Sequence, residues 1–132
     1  ATQAQCPPYR WLGALPHAPT RQRIQRAHLL VHCSRMEGGA HVLMEAICSG
    51  VPVIASRIAG NVGMLGEDYA GLFSVGDAKA LSDMLIRFRH DTEFASLLLR
   101  QCALRAPLFS AEHERQGLLT ILRNVHFAPR VL

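Results

Sequence analysis

Two apolar runs of strand length dominate the sequence, and a segment of helix length separates them. The first run is HLLVHCS, His28 to Ser34, and the second is VPVIAS, Val51 to Ser56. Runs that are apolar throughout, rather than alternating with polar residues, are typical of parallel strands that are covered on both faces. The segment between them, residues 40–49, has the pattern of a helix that is stopped by Gly50. A strand, a helix and a second strand in this order predict a right-handed parallel crossover, and hence an α/β fold.

Further segments extend this alternation on both sides. Upstream, YRWLGAL is predicted as a strand, and an Arg-rich helix with Thr20 as its N-cap follows it. Downstream, GLFSV is predicted as the last strand, after a Gly-rich loop with room for a short helical turn. From Asp77 onwards the apolar spacing predicts three helices, of which the second ends near Pro107 and the third is capped by Ser110. The predicted strands cover residues 9–15, 28–34, 51–56 and 71–75, and the helices between the first three cover 20–27 and 40–49.

The composition argues against several classes of function. The chain of 132 residues has 14 basic and 10 acidic residues, a formal net charge of +4. The basic residues lie singly and few aromatic residues accompany them, so a nucleic-acid surface is not predicted. No run approaches the ~20 consecutive apolar residues that a membrane span needs. The N-terminal residues ATQAQCPPYR lack both Met and the layout of a secretory signal, so we expect an interior segment of a longer protein.

The cysteines and histidines do not form the pattern of a metal site. The four cysteines are spread without C-x-x-C pairing, which argues against a zinc ribbon or a thioredoxin-like site. His28 and His32, four residues apart on a predicted strand, would be separated by about 13 Å, too far to bind one ion together. We therefore expect no metal. We expect Cys33 and Cys48 to be small core residues of a reduced, cytoplasmic protein.

A Gly-Gly pair stands where the strand ending at Ser34 leads into the helix. The first N–H groups of a helix have no partner within it, and the helix dipole adds about half a positive charge there. Because Gly38 and Gly39 carry no side chains, an anion can approach the backbone of residues 38–41 closely, and a phosphate or diphosphate is the natural ligand. The alternative is a glycine turn that only lets the strand reverse into the helix. Spacing alone does not decide between the two.

Two carboxylates flank this helix start. Glu37 precedes the glycines and can reach what lies beyond the phosphates; alternatively, its charge only stabilises the helix dipole, by about 0.3–1 kcal/mol. Glu45 shares a helix face with His41 and, less closely, with Val42. A carboxylate there can accept hydrogen bonds from both hydroxyls of a ribose, as in dinucleotide-binding folds; alternatively, it pairs with an Arg. Ser34, at the strand end, could line the same cleft, although serines at such positions often only cap turns.

Together these residues resemble a known signature. EGGAHVLMEAICSGVPVIAS, residues 37–56, resembles the Glu-x7-Glu motif of retaining GT-B glycosyltransferases, especially family 4 (glycosyl transferases group 1), which typically read EGFGLxxLEAMAxGxPVVAS. The flanking segments YRWLGALPH and AGLFSVGDAKALSDML resemble the same family. The resemblance implies the C-terminal, donor-binding half of a GT-B fold. This is a Rossmann-like parallel sheet layered with helices, and here it would lack its first strand.

The resemblance also implies roles for the residues of the motif. Glu37 would be the catalytic residue that contacts the hydroxyls of the donor sugar, and Glu45 would bind the ribose. The substrate would be a nucleotide-diphosphate sugar, UDP-linked, that carries a hexose or N-acetylhexosamine for a small-molecule acceptor. No metal or other cofactor is implied, because dipoles and cationic side chains stabilise charge in this fold. Ser34 and Asn61 are further candidates for the cleft. The donor-binding residues would be Gly38, Gly39, Ala40, His41, Val42 and Glu45.

The sequence departs from the family pattern in three places. Gly39-Ala40 replaces the usual Phe-Gly, and Gly63 stands where the family has Glu. The family's Arg/Lys pair and its N-terminal acceptor domain would both precede Ala1. The resemblance therefore implies a partial nucleotide-sugar-binding domain over residues 1–106 and, over 107–132, a C-terminal helix that packs back toward the missing domain. SRMEGGAHVLMEA with AGNVGMLGEDYAG is similar to a bacterial subgroup that includes selenosugar synthases.

Two hypotheses about function follow. The first is the donor-binding portion of a glycosyltransferase, which would be inactive without the missing domain. The second is a non-catalytic nucleotide-binding fragment or remnant that needs a partner chain, because a missing first strand would leave an exposed sheet edge. An α/β phosphohydrolase or a dinucleotide-binding enzyme is not supported, since neither G-x-G-x-x-G nor a metal-binding Asp at a strand end is present.

Overall fold

The computed structural model describes residues 2–6 and 8–125 and has one parallel sheet with helices packed against it. Three strands lie side by side in the order β1-β2-β3. This arrangement confirms the predicted α/β fold with a parallel sheet. The strands are β1 (Leu30–His32), β2 (Val53–Ser56) and β3 (Leu72–Phe73); the helices are α1 (Thr2–Gln5), α2 (His17–Gln25), α3 (His41–Cys48), α4 (Ala59–Leu65), α5 (Ala78–His90), α6 (Thr92–Arg105), the 3₁₀ helix α7 (Ala106–Phe109) and α8 (Ala111–Asn124).

The middle strand β2 is buried along its whole length, as its continuous apolar sequence predicts. On one side it pairs with β1, where Leu30 lies opposite Val53. On the other side it pairs with β3, where Ala55 lies opposite Leu72. Both faces are covered by apolar side chains from the helices. The fully buried helix residues in this core include Leu43 and Ala46 of α3, Leu65 of α4 and Leu98 of α6.

The hydroxyl of Tyr69 completes the hydrogen bonding at the start of β2, where β3 does not reach. It donates to the carbonyl of Val53 at 2.6 Å and accepts from the N–H of Val53 at 3.3 Å. The Sγ of Cys102 on α6 lies 3.2 Å from the same oxygen. Burial is the main cause that raises the pKa of Tyr69 above its ordinary value, so the hydroxyl stays protonated and able to donate. One side chain thus replaces a neighbouring strand for both polar groups of Val53.

The predicted N-terminal strand over Tyr9–Leu15 is wrong, because these residues form no strand and are exposed. A strand needs a neighbouring strand for its backbone hydrogen bonds, and the sheet of the described chain contains only β1, β2 and β3, none of which pairs with this segment. The predicted N-cap at Thr20 is also wrong, since α2 begins three residues earlier, at His17. Pro19 lies in the first turn, where its missing N–H needs no partner, and Thr20 donates its hydroxyl back to the Pro16 carbonyl at 2.9 Å.

The other predicted elements form, with changed lengths. The predicted strands at 28–34, 51–56 and 71–75 are shorter in the structure, and the segment predicted as a Gly-rich loop contains the seven-residue α4. The helices after Asp77 are confirmed. Acidic or hydroxyl side chains, which N-cap positions favour, cap their first turns. Asp77 accepts from the N–H of Ala80, and Ser110 accepts from that of His113 at 3.1 Å. The end of the predicted C-terminal segment, 126–132, lies outside the described residues.

The cysteine positions differ from the prediction. Cys33 and Cys48 are exposed, not core residues, because Cys33 follows the last residue of β1 and Cys48 is the last residue of α3. Cys102 is the buried cysteine, in the middle of the packed face of α6. Among the described helices, none combines the length and apolar character that crossing a membrane requires.

Replacing Tyr69 by Phe tests the hydrogen bonds that Tyr69 makes to β2. Tyr69→Phe leaves the buried N–H and carbonyl of Val53 without a partner on that side, so we expect the free energy of unfolding to fall by about 1–3 kcal/mol. Urea unfolding followed by circular dichroism measures the change. The control is Tyr9→Phe at an exposed tyrosine, for which we expect no change. Equal effects of the two substitutions would contradict the role given to the Tyr69 hydroxyl.

Thiol reactivity tests the positions of the four cysteines. We expect Cys6, Cys33 and Cys48 to react with iodoacetamide in the native chain, since their side chains are exposed. We expect Cys102 to react only after unfolding, because burial raises the pKa of its thiol and the thiolate is the reactive form. Peptide mapping by mass spectrometry measures labelling at each site. Protection of Cys33 or Cys48 equal to that of Cys102 would contradict the structure.

Candidate functional site

The candidate site lies at the carboxyl edge of the sheet, where ligands bind in open α/β folds. The loop from Ser34 to Ala40 joins β1 to α3, and α4 begins just after β2. The N-cap of α3 is Ala40, whose side chain makes no cap hydrogen bond. The N-cap residue of α3 therefore provides no side-chain partner for the first N–H groups of the helix.

The backbone of this loop packs directly on α4 at Gly60. A Cβ at Gly60 would lie 2.2 Å from the carbonyl oxygen of Glu37, a distance that side-chain carbons do not adopt. Gly38 and Gly39 differ from Gly60, because a Cβ at Gly38 would meet nothing within 4 Å and one at Gly39 would reach only Met64, at 3.8 Å. Gly60 is thus the glycine that the loop needs for its position. No pattern in the sequence indicates Gly60, because the residue that it contacts is 23 residues away in the chain.

Glu37 takes part in a chain of hydrogen bonds at the end of β1. The hydroxyl of Ser34 donates to Oε1 of Glu37 at 3.1 Å. Nε2 of His32 lies 3.2 Å from that hydroxyl and 3.9 Å from Oε1 of Glu37. Since the Ser34 hydroxyl gives its hydrogen to Glu37, it accepts from His32, which places a proton on Nε2. The structure thus adds His32 to the candidate site, whereas the sequence pattern raised it only as a metal ligand and no metal was expected.

Buried polar groups support the loop from below. Asn61, fully buried, donates to the Ser56 carbonyl at 2.8 Å and approaches the Ser56 hydroxyl at 3.3 Å. That hydroxyl in turn donates to the carbonyl of Ser34. Ser34 therefore lies beside Glu37 at the end of β1, and the buried Asn61 connects α4 to the ends of β2 and β1. Oδ1 of Asn61 and Nδ1 of His32 are buried and have no hydrogen-bond partner in the described chain.

Glu45 lies in a cleft between α2 and α3, with a volume of about 680 Å³. Its side chain is largely buried, and its Oε1 lies 2.7 Å from Nε2 of His17. The predicted alternative was a pair with an Arg, and the partner is instead a histidine from the start of α2. Val42 packs against the core, away from this cleft. The cleft is lined by His17, Arg21 and Gln25 of α2 and by His41, Met44 and Glu45 of α3.

The arrangement can bind an anion and hydroxyl groups side by side. Glu37 precedes the uncapped start of α3 in the chain and Glu45 follows it within the helix, and carboxylates are acceptors for sugar hydroxyls. His41, the first residue of α3, lines the same cleft as Glu45. Among the described residues, no group of three or more His, Cys, Asp or Glu side chains is arranged to hold a metal ion.

Comparison with known proteins gives a consistent result. The family model described as "Glycosyl transferases group 1" matches residues 8–101. A Bacillus subtilis (strain 168) protein, TuaC, named as a teichuronic acid biosynthesis glycosyltransferase, is 30% identical over 79 residues. That match covers 60% of this chain and 20% of TuaC.

Solved structures of Anabaena Alr3699/HepE share the fold. The structure in complex with UDP-glucose superimposes with a TM-score of 0.71 at 23% identity, over 88% of this chain and 32% of HepE. The complex with UDP gives a TM-score of 0.68 at 21% identity, over 79% and 29% of the two chains. The chain thus spans about a fifth of the curated relative and about a third of HepE.

Replacing Gly60 tests the contact that positions the Glu37 loop. We expect Gly60→Ala to lower the free energy of unfolding by about 1–3 kcal/mol, because its methyl group would overlap the Glu37 carbonyl. The matched control is Gly63→Ala in the same helix, where a Cβ meets nothing within 4 Å. We expect that control to be neutral or to stabilise by up to about 1 kcal/mol. Chemical denaturation measures both, and equal effects would contradict the contact.

Proposed function

The chain belongs to the Glycosyl transferases group 1 family, and from this premise we propose that it is the donor-binding portion of a retaining, family 4 glycosyltransferase. The enzyme would transfer a hexose or an N-acetylhexosamine from a UDP-sugar to a small acceptor. The observation that carries this proposal is the pair of carboxylates, Glu37 before the uncapped start of α3 and Glu45 within the helix. This geometry suits a ligand with a diphosphate in the middle and hydroxyl groups at both ends.

Each part of the donor would have its own residues. The diphosphate would accept hydrogen bonds from the backbone N–H groups of residues 38–41, where the dipole of α3 also favours negative charge. Glu45 would accept the hydroxyls of the ribose within the cleft between α2 and α3. Glu37, which is more exposed, would contact the hydroxyls of the donor sugar. Ser34 would hold the Glu37 carboxylate through their 3.1 Å hydrogen bond.

The choice of UDP rests on the structural relatives. HepE has been solved with UDP, with UDP-glucose, and with UDP and glucose. TuaC is itself named as a glycosyltransferase. We extend the nucleotide-sugar class from these proteins to this chain. Gly63, at the position where the family has Glu, leaves the acceptor side open and fits a selenosugar synthase-like subgroup with a small acceptor.

The proposed reaction uses neither a metal nor another cofactor. The α3 dipole and nearby cationic side chains would stabilise the charge of the leaving nucleoside diphosphate. Arg21 lines the cleft and carries such a charge. We also propose a cytoplasmic location, because four free cysteines fit a reducing compartment.

The remaining part of the enzyme would cover surfaces that are exposed here. The last described helix, α8, has no buried residue, and its apolar side chains Leu118, Ile121 and Leu122 are 58%, 61% and 52% exposed. We propose that residues 107–132 pack toward an acceptor domain, and that residues 1–106 form the partial donor domain. Catalysis would need closure of the two domains around the substrates, so this chain alone would be inactive.

A second candidate function is a non-catalytic nucleotide-binding fragment that pairs with another chain. The exposed apolar side of α8 and the unpaired edge of β1 in the described sheet favour it. Both functions need nucleotide binding. They differ in whether addition of an acceptor domain restores sugar transfer.

A ligand titration tests the proposed function. We expect ligand-observed NMR to show that the chain binds UDP and UDP-N-acetylglucosamine in preference to GDP and ADP. We expect Glu45→Ala to weaken UDP binding by about 10–100-fold, because the ribose hydroxyls lose a charged acceptor. The control is Glu93→Ala, an exposed carboxylate in the first turn of α6, with unchanged affinity. A folded chain that binds no nucleotide would contradict the proposal.

A further inference from the structure

We propose that His17 is a positioning residue of the nucleotide site, which holds the Glu45 carboxylate in place for the ribose hydroxyls. This inference rests on the proposed function, since it assigns His17 to the same site. Neither the Glu-x7-Glu motif nor the spacing of the sequence indicates His17. Its role follows from the 2.7 Å contact between its Nε2 and Oε1 of Glu45.

The carboxylate of Glu45 needs such a partner because it is largely removed from water. The Glu45 side chain is 17% exposed, while that of His17 is 75% exposed. A carboxylate in a poorly solvated position is stable only when hydrogen bonds replace the lost water. In the described part of the chain, His17 is the partner that the structure gives to Glu45. Arg21 and His41 line the same cleft without a hydrogen bond to this carboxylate.

The start of α2 places the imidazole where Glu45 can use it. His17 is the first residue of the helix and follows Pro16, whose ring restricts the backbone. The first turn is further held by the hydroxyl of Thr20, which donates to the Pro16 carbonyl at 2.9 Å. Since α2 also contacts α3 and its Ile24 belongs to the buried core, the backbone that carries His17 is held beside the helix that carries Glu45.

The contact leaves the carboxylate free to bind the ribose. Nε2 of His17 donates to one oxygen of Glu45, and each carboxylate oxygen can accept more than one hydrogen bond. Oε2 has no partner in the described chain and remains available. His17 thus fixes the torsions of a flexible side chain before the nucleotide binds, which lowers the cost of ordering it.

Paired ligands distinguish this role from a purely structural one. Isothermal titration calorimetry would measure the affinity of the chain for UDP and for 2′,3′-dideoxyuridine diphosphate, which lacks both ribose hydroxyls. We expect His17→Ala to weaken UDP binding about 5–10-fold and to leave the dideoxy ligand unchanged. His17→Gln, which keeps an N–H donor of similar reach, should restore most of the UDP affinity. In a Glu45→Ala background, His17→Ala should have no further effect.

Controls separate failure of this inference from failure of the proposed function. Gln22→Ala, at an exposed position of the same helix that does not line this cleft, should bind both ligands like the unmodified chain. Circular dichroism should show that each variant folds. No UDP binding by the unmodified chain, or no loss with Glu45→Ala, would overturn the proposed function. Loss with Glu45→Ala, combined with unchanged UDP binding in His17→Ala or equal loss for both ligands, would overturn the role of His17 alone.

Discussion

The complete burial of β2 is the constraint on which the rest of the structure depends. Because water reaches none of its residues, each backbone N–H and carbonyl must find a partner inside the protein. β1 supplies partners along one edge, whereas β3 is only two residues long and begins opposite Ala55. The Tyr69 hydroxyl closes the remaining gap at Val53. A helical packing residue, Cys102, then lies against this hydroxyl and joins α6 to the sheet.

The same principle continues at the other end of β2 and shapes the candidate site. At the carboxyl end of β2, side chains make the hydrogen bonds that the sheet does not. The Ser56 hydroxyl donates to the Ser34 carbonyl, and the Asn61 amide donates to the Ser56 carbonyl. These contacts tie α4 and the β1–α3 loop to the end of the strand. Gly60 then allows the backbones of α4 and the loop to touch. The place of Glu37 is therefore decided by buried polar groups that lie on a different part of the chain.

Features with local causes were predictable from the sequence, and those with distant partners were not. Asp and Ser side chains at helix starts became N-caps, because the N–H that each one caps lies only three residues away. The continuous apolar runs became buried strands, because their composition suits a strand that is covered on both faces. The strand expected at Tyr9–Leu15 does not form, since a strand depends on a neighbouring strand. Cys33 lies at the end of the mainly apolar run His28 to Ser34, yet β1 ends one residue before it. The His17–Glu45 contact spans 28 residues and leaves no periodic signal.

The two carboxylates of the site differ in how much of their surroundings the described chain supplies. The Glu45 side chain is 17% exposed, contacts His17, and lies in the cleft that residues of α2 and α3 line. Glu37 is 40% exposed, and in the described chain its carboxylate contacts Ser34 and His32. In the proposed function, recognition of the nucleoside is a property of this domain. The surroundings of the donor sugar would be completed by the acceptor domain. Binding of the nucleotide and transfer of the sugar would then be separable: the first needs only α2, α3 and the loop between β1 and α3, and the second needs the acceptor domain as well.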